Sequence, residues 1–323
     1  MRAPEFWHSD NWASRLLEPL GSVYAWAVAR RLAEAKEYRP AVPVICVGNI
    51  VTGGAGKTPV CLALVERLRA RGRHPHLLTR GYGGTEVGPR AVDSVRHDAT
   101  RVGDEALLLA AHAPTWVARW RPDGAVAAVE MGADILVMDD GFQNPTMVKD
   151  LSLVVVDGGY GFGNGRVMPA GPCRESIRAG LARADAVVLI GDDRAGVACG
   201  LGDLPVLRAR LVPGPEAEGF RGRKVVAFAG IGRPAKFFET LEAVGADLVD
   251  AHFFPDHHPY TRAEIAELAE QAEREGALLA TTAKDAVRVP SDLKPALSVL
   301  TVRLEWDTPE ALDQLLDRVD SRF

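Results

Sequence analysis

The sequence predicts an α/β protein with a doubly wound parallel sheet, preceded by an amphipathic helix and followed by a second, smaller α/β domain. Short runs of consecutive apolar residues alternate with helical patterns, which is typical of parallel strands covered on both faces. A stretch rich in proline, glycine and charge, at 201–223, interrupts this alternation and indicates a connection. We therefore divide the chain into an N-terminal segment (1–40), a main domain (41–220) and a smaller domain (221–323).

The individual elements follow from the local pattern. The strands of the main domain are predicted from apolar runs at 44–47, 76–79, 135–138, 153–156 and 186–190. Helices are expected there over 57–70 and 104–112. In the smaller domain, strands are predicted at 225–229 and 278–281, with a helix over 234–244. A further helix begins after Thr261, because Thr261 and Glu264 have the spacing of a capping box.

Composition and charge narrow the classes of function. The chain has 323 residues, of which 47% are hydrophobic and 25% charged, as in soluble globular proteins. Its formal charge of −5 does not indicate a nucleic-acid binder. The four cysteines form no CxxC pair, so neither a disulfide framework nor a structural zinc site is expected. No apolar run reaches the roughly 18 residues that indicate a membrane-spanning helix.

The N-terminal segment is amphipathic and rich in tryptophan. Trp7, Trp12 and Trp26 are half of the six tryptophans in the chain, and Pro19 is expected in the first turn of a helix. Apolar residues then recur at helical spacing: Leu20, Val23, Tyr24, Ala27 and Val28. The composition fits a helix at a membrane interface and also a helix packed on the protein core. The pattern by itself favours the core, because most amphipathic helices face one.

A glycine-rich turn joins the first predicted strand to the first helix of the main domain. Gly56-Lys57-Thr58 stands directly before the helix, the context of a phosphate-binding loop. In such loops, backbone N–H groups face phosphate oxygens, the lysine reaches the β- and γ-phosphates, and the threonine hydroxyl reaches Mg²⁺. The match is imperfect, because the strict motif has glycine at the position of Val51. The alternative to a phosphate-binding loop is an ordinary glycine-rich turn. We predict a P-loop NTPase-type fold with seven phosphate-binding residues: Thr52, Gly53, Gly54, Ala55, Gly56, Lys57 and Thr58.

Two carboxylates, Asp139 and Asp140, follow the predicted strand at 135–138. The carboxyl ends of central parallel strands stand beside the phosphate loop in doubly wound sheets. Oxygen ligands of this kind suit Mg²⁺. Alone, an Asp-Asp pair often marks only the end of a strand. Together with Gly56-Lys57-Thr58, it indicates hydrolysis or transfer of a nucleotide phosphate.

Three further clusters each allow two interpretations. Asp104 and Glu105 open a predicted helix, where they serve chemistry or simply complement the helix dipole. The glycine-rich loop 161–175 is either a substrate clamp or a surface insertion. His257 and His258 lack partners at zinc spacing, so we expect a histidine that tunes a carboxylate base rather than a metal ligand.

Seven motifs in order make the chain resemble a known family. Along the chain they are Gly48-Asn49 with Gly56-Lys57-Thr58-Pro59, Arg80-Gly81-Tyr82-Gly83, Gly103-Asp104-Glu105, Asp139-Asp140-Gly141-Phe142-Gln143, Pro169-Ala170-Gly171-Pro172 with Arg174-Glu175, Asp256-His257 and Thr281-Thr282-Ala283-Lys284-Asp285. Together they resemble the tetraacyldisaccharide 4′-kinases, the lipid A 4′-kinases of Gram-negative bacteria. The resemblance runs from the tryptophan-rich segment to about Arg288. The chain departs from the family at Asn144, where histidine is usual, and at Ser176, where proline is usual.

The resemblance implies transfer of the γ-phosphate of ATP to the 4′-hydroxyl of a tetraacylated disaccharide 1-phosphate, giving lipid IVA. It implies a peripheral enzyme on the cytoplasmic face of the bacterial inner membrane, which favours the interfacial interpretation of the N-terminal helix. No obligate protein partner is expected. It also implies Mg²⁺ ligands and lipid-substrate contacts. The implied Mg²⁺ ligands are Thr58, Asp139, Asp140 and Glu175. The implied lipid-substrate contacts are Arg80, Asn164, Arg166 and Arg174.

We expect catalysis to involve Lys57 and a carboxylate base. A sugar hydroxyl is a poor nucleophile, so its phosphorylation gains from a carboxylate that accepts its proton. Asp139 and Asp140 are better used on the metal, which leaves Asp104, and the resemblance points to the same residue. His257 is the histidine expected to hold it, with the smaller domain closing over the site.

Two other functions compete with a lipid kinase. A P-loop GTPase switch or metallochaperone would carry an Asn-Lys-x-Asp guanine motif, and the nearest match, at 282–285, lacks the asparagine. A non-enzymatic nucleotide-binding domain would bind ATP without turnover when the lipid acceptor is supplied.

Overall fold

The structure is a computed structural model and describes residues 4–322. Residues 1–3 and 323, at the outer ends of the predicted segments 1–40 and 221–323, lie outside this described part. Two sheets, each covered by helices, form the main and the smaller domain. The α/β class predicted from the sequence is confirmed.

The main sheet has nine strands within the described residues. They are β1 (Val44–Gly48), β2 (Pro75–Thr79), β3 (Arg90–Ala91), β4 (Thr115–Val117), β5 (Ile135–Asp139), β6 (Leu151–Asp157), β7 (Ala186–Ile190), β8 (Val206–Pro213) and β13 (Val302–Trp306). Their order across the sheet is β13-β8-β7-β6-β1-β5-β2-β4-β3. The pairings are parallel except at the two edges, where β3 and β13 run antiparallel to their neighbours.

The helices outside the smaller domain are α1 (Trp12–Glu34), α2 (Lys57–Ala70), α3 (Ala99–Val102), α4 (Asp104–Ala110), α5 (Arg121–Glu130), α6 (Ile177–Leu181) and α10 (Pro309–Asp320). All residues of β1, β2, β5, β6 and β7 are buried because helices cover both faces of the sheet. One face packs against α2 and α10, with Leu64 and Leu315 in its core. The other packs against α5, with Ala125 and Phe142 in its core. This double cover leaves the carboxyl ends of the strands, and the loops that follow them, to form a site.

The smaller domain contains a four-stranded parallel sheet in the order β10-β9-β11-β12. Its strands are β9 (Lys224–Ala229), β10 (Asp247–Phe253), β11 (Leu278–Thr282) and β12 (Leu297–Leu300). Its helices are α7 (Pro234–Ala243), α8 (Arg262–Glu275) and α9 (Ala283–Ala286). The predicted capping box at the start of α8 is confirmed, because the side chains of Thr261 and Glu264 each accept the backbone N–H of the other.

Two stretches depart from the predicted domain boundaries. The predicted connection at 201–223 contains β8, whose exposed residues Arg208 and Arg210 interrupt the apolar run and hide the strand from the sequence pattern. The end of the chain, predicted in the smaller domain 221–323, returns to the main sheet as β13 and α10. There β13 pairs with β8, and Leu312 and Leu316 join the main core. The smaller sheet therefore ends at residue 300.

Helix α1 does not pack its apolar stripe on the core. A capping box between Asn11 and Ser14 starts the helix at Trp12, so Pro19 lies inside the helix and not in its first turn. Its buried residues are Ser14, Gly21 and Val28. Its exposed apolar side chains are Trp12, Leu16, Leu20, Val23, Tyr24 and Trp26. The core interpretation is therefore wrong for this face. Between residues 4 and 322, no helix combines the length and hydropathy needed to cross a bilayer.

Candidate active site

The phosphate loop follows β1 and ends where α2 begins. Gly56, at the N-cap, has a left-handed backbone (φ 89°) that a residue with a side chain adopts only with strain, and Lys57 and Thr58 form the first turn. Thr52 anchors the loop, because its backbone N–H and its hydroxyl donate to the Pro172 carbonyl at 2.9 and 3.2 Å. A glycine-rich loop that leads into a helix N-terminus is an arrangement that binds anions in other proteins.

Asp140 faces this loop from the end of β5. The Nζ of Lys57 lies 3.6 Å from its Oδ1. Nη1 of Arg174 donates to both carboxylate oxygens, at 2.8 and 3.0 Å. Burial by itself would raise the pKa of Asp140, but the charges of Lys57 and Arg174 outweigh it and lower this pKa. Asp140 is therefore an ionised carboxylate held between two cations.

Asp139 is almost completely buried, and its Oδ2 has no hydrogen-bond partner among the described residues. Burial raises the pKa of Asp139 to about 7, and the charges of Glu105 and Asp140 add to this shift. An orphaned buried carboxylate oxygen is costly unless a donor or a cation supplies its missing partner. From residue 4 to 322, no group of three or more His, Cys, Asp or Glu is placed to hold a metal ion. Mg²⁺ at a nucleotide needs only one or two carboxylates, since phosphates and water complete its shell.

Glu175, the fourth predicted metal residue, is engaged elsewhere. Its Oε1 accepts a hydrogen bond from Nε2 of Gln143 at 3.0 Å, and its Oε2 pairs with Arg183. The same Nε2 of Gln143 donates to the carbonyl of Asn49 at 2.8 Å. Glu175 and Gln143 therefore brace the turn after β5 against the strand that leads into the phosphate loop.

Asp104 opens α4, and His257 of the smaller domain contacts it. Nδ1 of His257 lies 2.8 Å from Oδ2 of Asp104, whose Oδ1 accepts the backbone N–H of Glu105 at 2.8 Å. The side chain of Asp104 is only 4% exposed. Burial by itself would raise the pKa of Asp104, but the hydrogen bond with His257 and the nearby positive charges, that of Lys284 foremost, outweigh it and lower this pKa. The two predicted partners, 153 residues apart, are therefore direct neighbours.

The smaller domain approaches the carboxyl ends of the main-sheet strands, and the loops that follow them, at three more points. Nζ of Lys284 lies 3.3 Å from Oε1 of Glu105. A Cβ placed on Gly232 would lie 3.9 Å from the backbone nitrogen of Gly54 in the phosphate loop. The neighbouring Arg233 pairs with a carboxylate at the end of β6. The phosphate loop and Asp104 therefore both lie where the two domains meet, a region that we call the interdomain cleft.

The predicted lipid contacts separate into two groups. Arg174 belongs to the cleft, and Arg80 is exposed where β2 ends. Asn164 and Arg166 instead hold the N-terminal segment. Nδ2 of Asn164 donates to the carbonyl of Phe6 at 3.1 Å, and Arg166 forms ion pairs with Asp10, at 3.0 Å, and Glu18. Substrate contact by all four side chains remains a prediction.

Several side chains of this region were not predicted from the sequence. Gln143 and Lys284 each lie inside one of the family motifs, and that membership could have marked them as site residues. No sequence pattern marked Arg121 or Arg288 as a site residue, because a single arginine is ordinary in any sequence. Both are nearly buried, and burial lowers the pKa of Arg121 to about 10.

Comparison with known proteins identifies the family. A family model described as tetraacyldisaccharide-1-P 4′-kinase matches residues 13–320. The chain is 67% identical over 324 residues to a tetraacyldisaccharide 4′-kinase of Paramagnetospirillum magneticum, with 100% of both chains covered. It is 56% identical to one from Rhodospirillum rubrum, with 99% of this chain and 98% of the relative covered. The chain belongs to the tetraacyldisaccharide-1-phosphate 4′-kinase family.

The fold of the kinase also matches a solved structure. A crystal structure of LpxK from Aquifex aeolicus, described as a complex with ATP, superposes with a TM-score of 0.78 and 24% sequence identity. The superposition covers 95% of this chain and 99% of the other. The predicted P-loop NTPase-type fold is thereby confirmed.

Proposed function

We propose that the kinase transfers the γ-phosphate of ATP to the 4′-hydroxyl of a tetraacyldisaccharide 1-phosphate through the cleft described above, giving lipid IVA. Membership of the family supplies the reaction class. One observation supports the assignment to this cleft. The phosphate loop and the Asp104–His257 pair lie on the same side of the main sheet, beyond the carboxyl ends of its strands. A nucleotide and an acceptor hydroxyl therefore have adjacent places to bind.

The P-loop residues bind the triphosphate in this proposal. Backbone N–H groups of the loop and of the first turn of α2 face the phosphates, and Lys57 exchanges its ion pair with Asp140 for the γ-phosphoryl oxygens. The guanine alternative has no support, because Asp285 is fully buried and already accepts from Tyr260 Oη and Gly230 N at 2.7 and 2.9 Å. Its carboxylate is therefore not free to read a base.

The residues around Asp139 fit Mg²⁺. Thr58, Asp139 and Asp140 are the side chains that would hold it, and the orphaned Oδ2 of Asp139 is the observation that supports this. When bound with ATP, Mg²⁺ neutralises charge that develops on the phosphates. Glu175 supports the turn that carries these carboxylates, through Gln143.

Asp104 is the proposed general base. It accepts the proton of the 4′-hydroxyl while the oxygen forms a bond to the γ-phosphorus, and the bond from that phosphorus to the β–γ bridging oxygen breaks to release ADP. His257 holds the carboxylate in place through the 2.8 Å contact. Lys57 stabilises negative charge on the transferring group.

We propose that α1 lies on the inner membrane, at its cytoplasmic face, where the lipid acceptor resides. Support comes from its exposed apolar side chains, among them Trp12 at 78% and Leu16 at 70% exposure. Aromatic side chains and leucines on one face suit the boundary between headgroups and acyl chains. Asn164 and Arg166 connect this helix region to the loop that carries Arg174, and so to the cleft.

The direct test is ATP turnover with and without a tetraacyldisaccharide 1-phosphate presented in mixed micelles. We expect turnover only with the acceptor, a product phosphorylated at the 4′-position, and a requirement for Mg²⁺. Lys57→Ala should abolish most of it, whereas Lys224→Ala, an exposed lysine at the start of β9, should retain it. Acceptor-independent ATP hydrolysis at the same rate would contradict the proposed function.

A further inference from the structure

Cys61 contacts the carboxylate of Asp139 from the second turn of α2. Its Sγ lies 3.6 Å from Oδ1 of Asp139. Both residues are almost completely inaccessible to solvent, with exposed fractions of 0% and 1%. Among the described residues, this thiol is the only hydrogen-bond partner of the carboxylate, because Oδ2 has none. The two oxygens of Asp139 therefore have different surroundings.

We propose that Cys61 is a positioning residue that holds Oδ1 of Asp139 and so reserves Oδ2 for Mg²⁺. The inference rests on the proposed role of Asp139 as a Mg²⁺ residue. It assigns a task to a buried cysteine that the proposed transfer of phosphate does not otherwise use.

The spacing along α2 places Cys61 on the side of the helix that serves the nucleotide. Residues three and four apart lie on one side of an α-helix. Thr58 is three residues before Cys61, and Lys57 is four residues before it. The threonine proposed for Mg²⁺, the lysine proposed for the phosphates and the thiol therefore share one side of α2. The carboxylate at the end of β5 meets this side at Cys61.

The chemistry of the two groups makes the thiol the donor. A carboxylate that holds a cation is ionised, and an ionised carboxylate only accepts hydrogen bonds. An S–H group is a weak donor, so it orients the carboxylate while leaving most of the negative charge for a cation. Carboxylates that bind metal ions are commonly held by such hydrogen bonds.

Without this contact, nothing else fixes the orientation of the Asp139 carboxylate. The torsion of an aspartate carboxyl group is broad and roughly two-fold, so it does not distinguish one oxygen from the other. Burial removes the water that would otherwise hydrogen-bond to either oxygen. The nearby cations Lys57 and Arg174 form ion pairs with Asp140 instead. Cys61 is therefore the group that selects which oxygen of Asp139 stays free.

The surroundings of Cys61 explain why the donor is a thiol. It belongs to a buried apolar cluster that includes Val60, Leu64 and Val65. A thiol packs as a small apolar group, whereas a buried hydroxyl costs free energy when its hydrogen bonds are incomplete. Cys61→Ser should therefore keep a donor near Asp139 and lose some stability.

The test measures how far Mg²⁺ strengthens nucleotide binding, so it does not depend on turnover. Calorimetry with a non-hydrolysable ATP analogue gives the dissociation constant of the full-length kinase with and without Mg²⁺. Cys61→Ala and Cys61→Val remove the donor. We expect each to reduce the gain in affinity due to Mg²⁺ roughly tenfold, the lower end of the usual effect for residues that hold metal ligands. Affinity without Mg²⁺ should not change, because the thiol contacts Asp139 and not the phosphate loop.

Matched variants separate the hydrogen bond from packing. Alanine is smaller than cysteine and valine is larger, so a packing defect would differ between them, and either variant suffices if the other does not fold. Cys61→Ser should retain most of the gain due to Mg²⁺. Cys46→Ala removes a buried thiol on the opposite face of the sheet and should leave the gain unchanged. Equal losses in Cys61→Ser and Cys61→Ala, or an undiminished gain in Cys61→Ala or Cys61→Val, would overturn the proposal.

The dependence of turnover on Mg²⁺ supplies a second readout. In Cys61→Ala, the Mg²⁺ concentration for half-maximal turnover should rise roughly tenfold, while kcat at saturating Mg²⁺ stays near the wild-type value. A lower kcat with an unchanged Mg²⁺ requirement would contradict the role of Cys61. A wild-type kinase whose nucleotide affinity does not respond to Mg²⁺, or an undiminished gain in Asp139→Asn, would instead refute the proposed metal site. The two failures are therefore distinguishable.

Discussion

Removing Asp104 and His257 singly and together tests whether they act as one unit. Asp104→Asn keeps the shape of the side chain and removes the base, so we expect kcat to fall roughly 10²- to 10⁴-fold. His257 acts through one hydrogen bond, 2.8 Å long, to an ionised carboxylate. Such a bond contributes about 1.5–3 kcal/mol, which corresponds to a loss of roughly 10- to 150-fold for His257→Ala. The affinity for ATP should change little, because neither side chain belongs to the phosphate loop.

The double variant is the informative member of this set. If His257 works only by holding and orienting Asp104, its removal from an enzyme that already lacks the carboxylate should cost almost nothing further. The assay is single-turnover transfer of labelled γ-phosphate to a tetraacyldisaccharide 1-phosphate at saturating ATP. His258→Ala is the matched control, because His258 pairs with Glu264 at 3.0 Å and not with Asp104. A double variant whose loss equals the product of the single losses would refute the coupled pair.

Three further changes test other parts of the molecule. Lys57→Ala should lower kcat roughly 10²- to 10³-fold, since the transferring phosphoryl group loses a fixed positive charge, as single-turnover transfer would show. Leu16→Ser, on the exposed face of α1, should weaken vesicle binding roughly tenfold in a flotation assay, because the variant no longer buries a leucine in the bilayer. Unchanged flotation would contradict membrane contact. Gly48→Ala should lower the free energy of unfolding by about 1–3 kcal/mol in urea, because its Cβ would collide with that of Phe142, whereas Gly200→Ala, with open space around it, should not.

Local patterns in the sequence determined the core of the main domain and pointed to the proposed nucleotide site. Runs such as 135–138 and 186–190 are long enough, and apolar enough, to predict buried parallel strands. The sequence also predicts where Gly56-Lys57-Thr58 and the Asp139-Asp140 pair lie in the fold. The position of each depends only on where one strand ends or one helix begins. These features involve neighbours in the chain, and neighbours are visible in a sequence.

The tertiary structure decided where distant segments meet. The pairing of β13 with β8 depends on complementarity between stretches about ninety residues apart, and neither stretch shows it alone. The same holds for α1, whose amphipathic pattern is compatible with both a core and a membrane, because only the observed exposure of its apolar side chains excludes the core. The motifs pointed to Asp104 and His257, but their separation of 2.8 Å is a product of domain packing. Such contacts follow from how whole elements pack in three dimensions, which the periodicity of a single segment does not encode.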